Sequence, residues 1–327
     1  MAKARTGGQL IVDALQAQGC EHVFCVPGES YLAVLDALHD AKINVTVCRQ
    51  EGGAAMMADA TARLTGRPGI AMVTRGPGAT NASAGIHISE HDSVPMILFV
   101  GQIERGMRER GAFQEMNYKE FFGSTAKWVV EIDDAARIPE TISRAYHVAM
   151  QGRPGPVVIS LPEDMLLDHA EVAIPQRIEP VETWPGQTQM AELQKMLWVA
   201  KNPIAILGGG GWSEKAVESV VRFSERFHLP VATSFRRASL FPADHPHYAG
   251  EIGIGPNPKL KDRIASSDLV LLIGGRMAEM PSQSYTLFDI PKPQMPFVHV
   301  HADAAELGRV YHPTLGINAT PRAFAAA

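Results

Sequence analysis

The chain has 327 residues, of which 46% are hydrophobic and 20% charged, and a formal net charge of −5. This length and composition fit a globular protein of about two domains, and the negative charge without a basic stripe argues against a nucleic-acid partner. No apolar run is long enough to span a membrane, and the first residues lack the apolar core of a signal peptide. Because Cys20, Cys25 and Cys48 are not spaced as metal ligands, we expect buried thiols and a cytoplasmic protein.

Residues 1–170 alternate between short apolar strands and amphipathic helices. The first of each are a helix at 9–19 and a strand at Glu21–Val26. The later predicted helices are Tyr31–His39, Gly52–Leu64, Ala79–Glu90 and Pro139–Met150. The later predicted strands are Val45–Arg49, Gly69–Thr74, Pro95–Gly101 and Gly155–Leu161. Strands that alternate with helices over short connections indicate a parallel sheet covered on both faces.

The alternation fails over a proline-containing segment of mixed charge, and we interpret residues 171–189 as a linker. A second α/β unit is predicted at 190–327. Its strands are Pro203–Leu207, Pro230–Thr233, Leu269–Ile273 and Phe297–His301, and its helices are Ala191–Ala200, Glu214–Phe227 and a helix-prone end at Pro321–Ala327. The predicted fold class is therefore α/β, with two doubly wound parallel-sheet domains.

One acidic residue stands at a strand-to-helix junction. Glu51 follows a strand and opens a helix that begins with Gly52 and Gly53. A first-turn glutamate that complements the helix dipole is one interpretation. The adjacent glycines favour another, since each costs about 1 kcal/mol in a helix and allows a flat ligand to approach the backbone.

The turn after the next strand is rich in glycine. It reads Gly76-Pro77-Gly78 and is followed by Asn81. Ligands of doubly wound sheets bind at the carboxyl ends of strands, although such turns are also common without a ligand. His87 and His91 share a helical face, but Pro95 follows closely and no partner carboxylate has ligand spacing, so no metal site is predicted.

Five spaced motifs follow one another along the chain. They are Arg49-Gln50-Glu51-Gly52-Gly53-Ala54-Ala55, Gly76-Pro77-Gly78-Ala79-Thr80-Asn81, Ala112-Phe113-Gln114-Glu115, Gly152-Arg153-Pro154-Gly155-Pro156-Val157 and Leu161-Pro162-Glu163-Asp164. In this order they resemble thiamine-diphosphate-dependent enzymes of the acetolactate synthase type. The resemblance covers essentially the whole chain and implies a pyrimidine-binding domain at 1–170 and a Rossmann-like central domain at 190–327.

The resemblance implies a role for each matching residue. Glu51 corresponds to the glutamate that hydrogen-bonds the cofactor's aminopyrimidine ring and promotes proton removal from the thiazolium carbon. Phe113 and Gln114 correspond to a pair near the reacting centre. The cofactor-binding residues of this domain would be Gly28, Gly76, Pro77, Gly78 and Asn81. The activity implied is a carboligase or a decarboxylating lyase acting on a 2-oxo acid such as pyruvate, in a homodimer or homotetramer.

Three departures from the family pattern narrow this interpretation. The family's Gly-Asp-Gly motif for diphosphate and Mg²⁺ belongs to a third domain, and this chain contains no such motif. Where the family has Gly-Gly-Ala after the early proline, this chain reads Pro27-Gly28-Glu29-Ser30-Tyr31, so polar groups replace small ones. Met280 replaces an arginine that helps to select the acceptor. We therefore expect the 327 residues to be inactive alone, and acetolactate is not assured as the product.

Four glycines end the first strand of the central domain. Gly208, Gly209 and Gly210 do not fit a dinucleotide fingerprint, but they permit close approach of a phosphate or of a neighbouring loop. The resemblance implies that this domain holds FAD, an ADP-like group or nothing. Arg276 and Asp303 also follow strands and are further candidates for nucleotide binding. The alternative to an enzyme is a non-catalytic nucleotide-binding or regulatory module that acts through oligomerisation.

Overall fold

The computed structural model describes residues 4–327. The chain divides into two compact units, the first ending at Pro180 and the second beginning at Val181. Each contains a six-stranded sheet in which every neighbouring pair of strands is parallel. The predicted fold class, two doubly wound α/β domains, is confirmed. Within the described residues, no helix combines the length and the apolar character needed to cross a bilayer.

The first unit begins with a short antiparallel ladder and then builds its sheet in the strand order β3-β2-β4-β5-β7-β6. The strands are β1 (Arg5–Thr6), β2 (His22–Cys25), β3 (Asn44–Val47), β4 (Gly69–Val73), β5 (Met96–Gln102), β6 (Trp128–Glu131), β7 (Pro156–Pro162) and β8 (His169–Ala170). The helices are α1 (Gly7–Ala17), α2 (Leu32–His39), α3 (Glu51–Thr65), α4 (Pro77–Asp92), α5 (Tyr118–Phe122) and α6 (Ile138–Met150). The ladder pairs β1 with β8.

Alternate residues of the central strands face opposite layers of helices. Ile70 and Met72 of β4 belong to the core formed with α1, α2 and α6. Ala71 and Val73 of the same strand belong to the core formed with α3, α4 and α5. Every residue of β4, β5 and β7 is buried, as expected for parallel strands covered on both faces. Their apolar runs are therefore readable from the sequence.

Helices α3 and α4 approach each other closely because both carry small residues at the contact. A Cβ atom placed on Gly85 of α4 would lie 2.4 Å from the Cβ atom of Ala55 in α3. Gly69, the first residue of β4, lets this strand lie equally close to α3. A Cβ atom placed on Gly69 would lie 1.9 Å from the carbonyl oxygen of Ala58. Glycine at these two positions therefore sets how near α3 lies to α4 and to the sheet.

The second unit has the strand order β11-β10-β9-β12-β13-β14. Its strands are β9 (Pro203–Leu207), β10 (Val231–Ser234), β11 (Tyr248–Ile252), β12 (Leu269–Ile273), β13 (Phe297–His301) and β14 (Leu315–Asn318). Its helices are α7 (Gln187–Val199), α8 (Glu214–Phe227), α9 (Pro258–Ala265) and α10 (Pro321–Ala326). One core joins the sheet to α7, α8 and α10, and the other joins it to α9 and the following loops.

The structure adds elements that the hydrophobic pattern did not reveal. These are β1, β6, β8, β11, β14, α5 and α9. Most of them are edge strands or short helices with incomplete burial, so their apolar periodicity is weak. Residues 171–186 form no helix or strand, and Val172, Ile174 and Ile178 pack against the first unit's core. The linker boundaries at 171 and 189 remain a prediction.

All three cysteines are free thiols, with Cys25 buried and Cys20 and Cys48 partly buried. Burial raises the pKa of the Cys20 thiol to about 12 and also raises the pKa of Cys25 and Cys48. These thiols are therefore protonated near neutral pH and pack as small apolar groups.

The helix contact at Gly85 leads to a test of the fold. Replacing Gly85→Leu forces a branched side chain against Ala55, and we expect the free energy of unfolding to fall by about 2–3 kcal/mol. Urea unfolding measures the change. The matched control is Ala84→Leu, which places the same side chain at an exposed position of the same helix. Equal unfolding midpoints for the two variants would contradict the proposed close contact.

Candidate active site

Glu51 is the first residue of α3, four residues beyond the last residue of β3. Gln50 caps the helix, because its side-chain oxygen accepts a hydrogen bond from the Gly53 amide at 2.8 Å. Glu51 is half-buried. Its Oε2 atom accepts a hydrogen bond from the side-chain amide of Asn81 at 3.0 Å. Glu51 and Asn81 lie on different helices, and this hydrogen bond brings them together.

The glycine turn between β4 and α4 lies directly beside Glu51. Gly76 has φ +56°, a conformation that L side chains rarely adopt. A Cβ atom on Gly78 would lie 3.6 Å from Oε1 of Glu51. Oε2 of Glu51 is thus engaged by Asn81, while Oε1 faces the Gly78 backbone. The arrangement leaves one carboxylate oxygen available to a ligand at this turn.

The two glycines after Glu51 have different surroundings. A Cβ atom on Gly52 would lie 3.1 Å from the carbonyl oxygen of Asn81, so packing between helices explains that glycine. Nothing lies within 4 Å of a Cβ atom on Gly53. Gly53 therefore has no packing reason to lack a side chain, which is consistent with close approach of a ligand.

The loop that carries Phe113 and Gln114 packs against the glycine turn. Gln114 has φ +65°, and its carbonyl oxygen lies 2.8 Å from the position of a Cβ atom on Gly76. Glu115 holds the loop by accepting hydrogen bonds from the amides of Glu109 at 2.7 Å and Ala112 at 3.3 Å. Phe113 is 72% exposed. The loop therefore supplies an exposed aromatic ring near the candidate site.

Tyr118 is a site residue that sequence reasoning missed. It is buried in α5 and its hydroxyl donates to the carbonyl oxygen of Gly101 at 3.1 Å. The same hydroxyl accepts from the Gly76 amide at 3.0 Å. Burial raises the pKa of Tyr118 to about 12, so the hydroxyl keeps its proton. A lone tyrosine in an unpredicted five-residue helix carries no sequence signal for this role.

A buried arginine also lies at this edge and was not predicted. Arg75 stands between β4 and the Gly76 turn and forms ion pairs with Glu29 and Glu163, each at 2.8 Å. Gly28 lies nearby, because a Cβ atom on it would lie 2.4 Å from the Cβ atom of Thr74. The Gly28 turn is therefore packed against the residue that precedes Arg75, at the carboxyl ends of β2, β4 and β7.

The candidate nucleotide residues of the second unit lie at the carboxyl ends of β9, β12 and β13. A Cβ atom on Gly209 would lie 1.9 Å from the carbonyl oxygen of Gly274, and one on Gly208 would lie 2.9 Å from the Cα atom of Gly275. The side chain of Asp303 accepts a hydrogen bond from the Ala305 amide at 3.0 Å. The glycines are thus required by packing of one loop on another, and Asp303 caps a turn.

Comparison with known proteins identifies the family of the chain. Residues 5–121 match the family described as thiamine pyrophosphate enzyme, N-terminal TPP binding domain. Residues 190–327 match the family described as thiamine pyrophosphate enzyme, central domain. The chain therefore belongs to the thiamine-diphosphate-dependent enzymes and contains their N-terminal and central domains.

Among curated proteins, the chain is similar to acetolactate synthase large subunits. It is 32% identical to that of Haemophilus influenzae, over 94% of this chain and 54% of the relative. It is 31% identical to the probable large subunit of Methanocaldococcus jannaschii, over 93% and 52%. It is 30% identical to the isozyme 2 large subunit of Escherichia coli, over 93% and 55%. The chain spans about half the length of these relatives, and the predicted family resemblance is confirmed.

The prediction of a flavoprotein is wrong. The matching central-domain family is described by thiamine pyrophosphate alone, and the similar proteins are named as acetolactate synthases, without a flavin. The physical reason for the error is that the glycine turn suggested phosphate approach, whereas Gly208 and Gly209 pack closely against the backbone of Gly274 and Gly275. The broader assignment of Gly208, Gly209, Gly210, Arg276 and Asp303 to nucleotide binding stays a prediction.

The described residues contain no group of three or more histidine, cysteine, aspartate or glutamate side chains arranged to hold a metal ion. The rings of His87 and His91 lie 4.5 Å apart, centroid to centroid, on the outer part of α4. Their spacing on one helical face therefore brings the rings together, as the sequence indicated.

The two hydrogen bonds of the Tyr118 hydroxyl predict that this residue contributes to the stability of the fold. Tyr118→Phe leaves the buried Gly76 amide and Gly101 carbonyl without their partner, and we expect a loss of about 1–3 kcal/mol in the free energy of unfolding. Urea unfolding tests this. The control is Tyr146→Phe, since the buried Tyr146 hydroxyl bonds no backbone group among residues 4–327. If both variants lose the same stability, Tyr118 does not hold the turn.

Two buried histidines make the second unit sensitive to acid. His299 donates from Nε2 to the Gly275 carbonyl oxygen at 2.9 Å, and burial lowers its pKa from 6.5 to about 4. Burial also lowers the pKa of His301. The unfolded state binds more protons below pH 6.5, so the stability due to His299 is complete above that pH. It falls by up to about 3 kcal/mol as the pH approaches 4.

Urea unfolding between pH 7.5 and 4.5, followed by tryptophan fluorescence, measures this dependence. We expect His299→Gln to flatten the pH profile, and the exposed His312→Gln to leave it unchanged. Parallel profiles for His299→Gln and the unmodified protein would show that His299 does not titrate in this way.

Proposed function

We propose that the protein is a thiamine-diphosphate-dependent carboligase or decarboxylating lyase that acts on a 2-oxo acid. The observation that carries the proposal is the contact between Glu51 and Asn81 beside the Gly78 backbone. The names of the similar proteins support the acetolactate synthase type. Pyruvate as substrate, Mg²⁺ with the cofactor's diphosphate, a cytoplasmic location and a homodimer or homotetramer belong to the same proposal.

The residues around Glu51 fit the pyrimidine end of the cofactor. Oε1 of Glu51 lies beside the backbone of Gly78, which carries no side chain of its own. Asn81 is exposed and Glu51 half-buried, so a ligand can reach both from solvent. When bound, thiamine diphosphate supplies the nucleophilic carbon and the electron sink for decarboxylation of a 2-oxo acid.

In the proposed mechanism this chain orients the cofactor and moves a proton. Asn81 donates to Oε2 of Glu51 at 3.0 Å and so fixes the plane of the carboxylate. Oε1 would then hold a proton at the pyrimidine end of the bound cofactor. Tyr118 and the Gln114 backbone keep the Gly76 turn in its left-handed conformation. These contacts position the donor group before substrate arrives, which is how a protein contributes to cofactor chemistry.

The regulatory-module hypothesis is less well supported. A module that only binds nucleotides or other chains has no use for a glutamate oriented by an amide against a bare glycine turn. The loop holding Phe113 and Gln114 against that turn is equally unnecessary for it. We therefore favour the enzyme.

The proposal predicts the effect of a single carboxylate. In the protein as its gene encodes it, Glu51→Gln removes the proton carrier but keeps an oxygen that can accept from Asn81. We expect turnover of pyruvate to fall by about 100-fold or more, with unfolding unchanged. Carbon dioxide release and product formation are the measurements.

Glu140→Gln is the control, since Glu140 is an exposed, ion-paired glutamate on α6. Normal turnover in Glu51→Gln, or loss of turnover in both variants, would refute the role assigned to Glu51. Failure of the unmodified protein to bind thiamine diphosphate would refute the proposed function itself.

A further inference from the structure

Arg75 is a buried cation at the carboxyl edge of the first sheet. Its side chain is 9% exposed, and it directly precedes the Gly76 turn. Nη1 donates to Oε2 of Glu163 at 2.8 Å, and Nη2 donates to Oε1 of Glu29 at 2.8 Å. The guanidinium group is therefore held between one carboxylate at the end of β7 and another in the turn after β2.

The two carboxylates differ in how firmly they are held. The side chain of Glu163 is 32% exposed, whereas that of Glu29 is 67% exposed. An exposed carboxylate gains little from an ion pair, because water solvates it almost as well. The buried arginine, in contrast, needs at least one anionic partner. Glu163 is the permanent partner in this pairing, and Glu29 is the partner that an incoming anion can displace.

The backbone next to Glu29 is held in place, so the Glu29 carboxylate can leave Arg75 by rotation of its side chain alone. The Ser30 side chain is buried, lies 2.9 Å from the Thr74 hydroxyl and accepts from the Arg75 amide at 3.2 Å. A Cβ atom on Gly101 would lie 2.0 Å from the Ser30 hydroxyl oxygen. Departure of the Glu29 carboxylate therefore opens a space of carboxylate size without disturbing the turn.

Glu29 bonds only one of the two nitrogens on the edge of the guanidinium group that it contacts. Nε and Nη2 lie on the same edge and together can bind both oxygens of one carboxylate. Glu29 accepts from Nη2, while Nε is buried and has no hydrogen-bond partner among the described residues. A free carboxylate in the place of Glu29 can engage both nitrogens and satisfy the unpaired Nε.

We propose that Arg75 is the carboxylate-binding residue of the active site, with Glu29 occupying its place in the free protein. The chemical class of the ligand, a 2-oxo acid, rests on the proposed function. Two charge-assisted hydrogen bonds stabilise a carboxylate against loss as carbon dioxide. The bound group is therefore the carboxylate that the reaction retains, which belongs to the acceptor acid.

Direct binding tests this without catalysis. Pyruvate and its uncharged methyl ester are titrated into the protein as its gene encodes it, in the absence of thiamine diphosphate and at fixed ionic strength. Saturation-transfer NMR gives the dissociation constants. The variants are Glu29→Gln, Arg75→Met and the control Glu140→Gln, whose exposed glutamate is paired with Arg137.

We expect Glu29→Gln to lower the dissociation constant for pyruvate about two- to fivefold, by removal of a weak competitor. Arg75→Met raises it about tenfold or more, and Glu140→Gln leaves it unchanged. The methyl ester responds to none of the variants. In turnover, Glu29→Gln lowers the KM for an acceptor acid without a matching change in kcat.

An unchanged pyruvate affinity in Glu29→Gln overturns the proposal, and this variant keeps it testable if Arg75→Met does not fold. Equal responses of pyruvate and its ester overturn it as well. These outcomes are separate from failure of the proposed function. A protein that binds no thiamine diphosphate but shows the expected carboxylate affinities refutes the enzyme assignment and retains the Arg75 site.

Discussion

The candidate site depends on the close contact between α3 and α4. Glu51 and Asn81 stand near the amino-terminal ends of these helices, and a hydrogen bond of 3.0 Å joins them. Gly85 meets Ala55 without a side chain between them, which lets the two helices come close to each other. Cores are close-packed, so a larger residue at the contact would move the helices apart and separate the two groups. The small residues of both helices are thus part of the functional geometry.

A second constraint holds the turn that faces Glu51. Gly76 adopts a left-handed conformation. Its amide donates a hydrogen bond to the Tyr118 hydroxyl, and the Gln114 backbone packs against it. Tyr118 also reaches Gly101 at the end of β5, so one buried hydroxyl couples two neighbouring strand ends. The turn is consequently fixed by one side-chain and one backbone contact. This rigidity positions a backbone surface for a ligand before the ligand binds.

Much of the fold could be read from the sequence, because buried parallel strands are continuous apolar runs. Pro203–Leu207, Leu269–Ile273 and Phe297–His301 were predicted with their observed bounds. Strand β3 was also predicted, but its residues are exposed at the sheet edge. The edge strands β6, β11 and β14 were missed, since their partial burial leaves no clear pattern. Helix α5 was missed because five residues are too few for helical periodicity.

The site was predictable where residues act through a motif and was missed where they act through tertiary contacts. Glu51, Gly78 and Asn81 belong to local patterns, and the structure brings them together. The ion pairs of Arg75 join residues 46 and 88 positions apart, which no local pattern records. Gly208 and Gly209 show a different limit, since a glycine that packs against a neighbouring loop looks the same in sequence as one that binds a phosphate.

The charge balance around Arg75 connects these observations to substrate choice. One buried guanidinium group faces two carboxylates, so the cluster carries one net negative charge when all three groups are ionised. An anionic substrate approaching this edge is therefore repelled unless one carboxylate withdraws. Glu29 is exposed enough to do so, and its withdrawal exchanges a loosely held internal anion for one that can pair with two nitrogens. One carboxylate then replaces another beside the guanidinium group. The net charge there is unchanged, so the electrostatic cost of the replacement is small. A neutral acceptor cannot form the ion pair with Arg75 that Glu29 gives up. Displacement of Glu29 therefore favours an acceptor that carries a carboxylate.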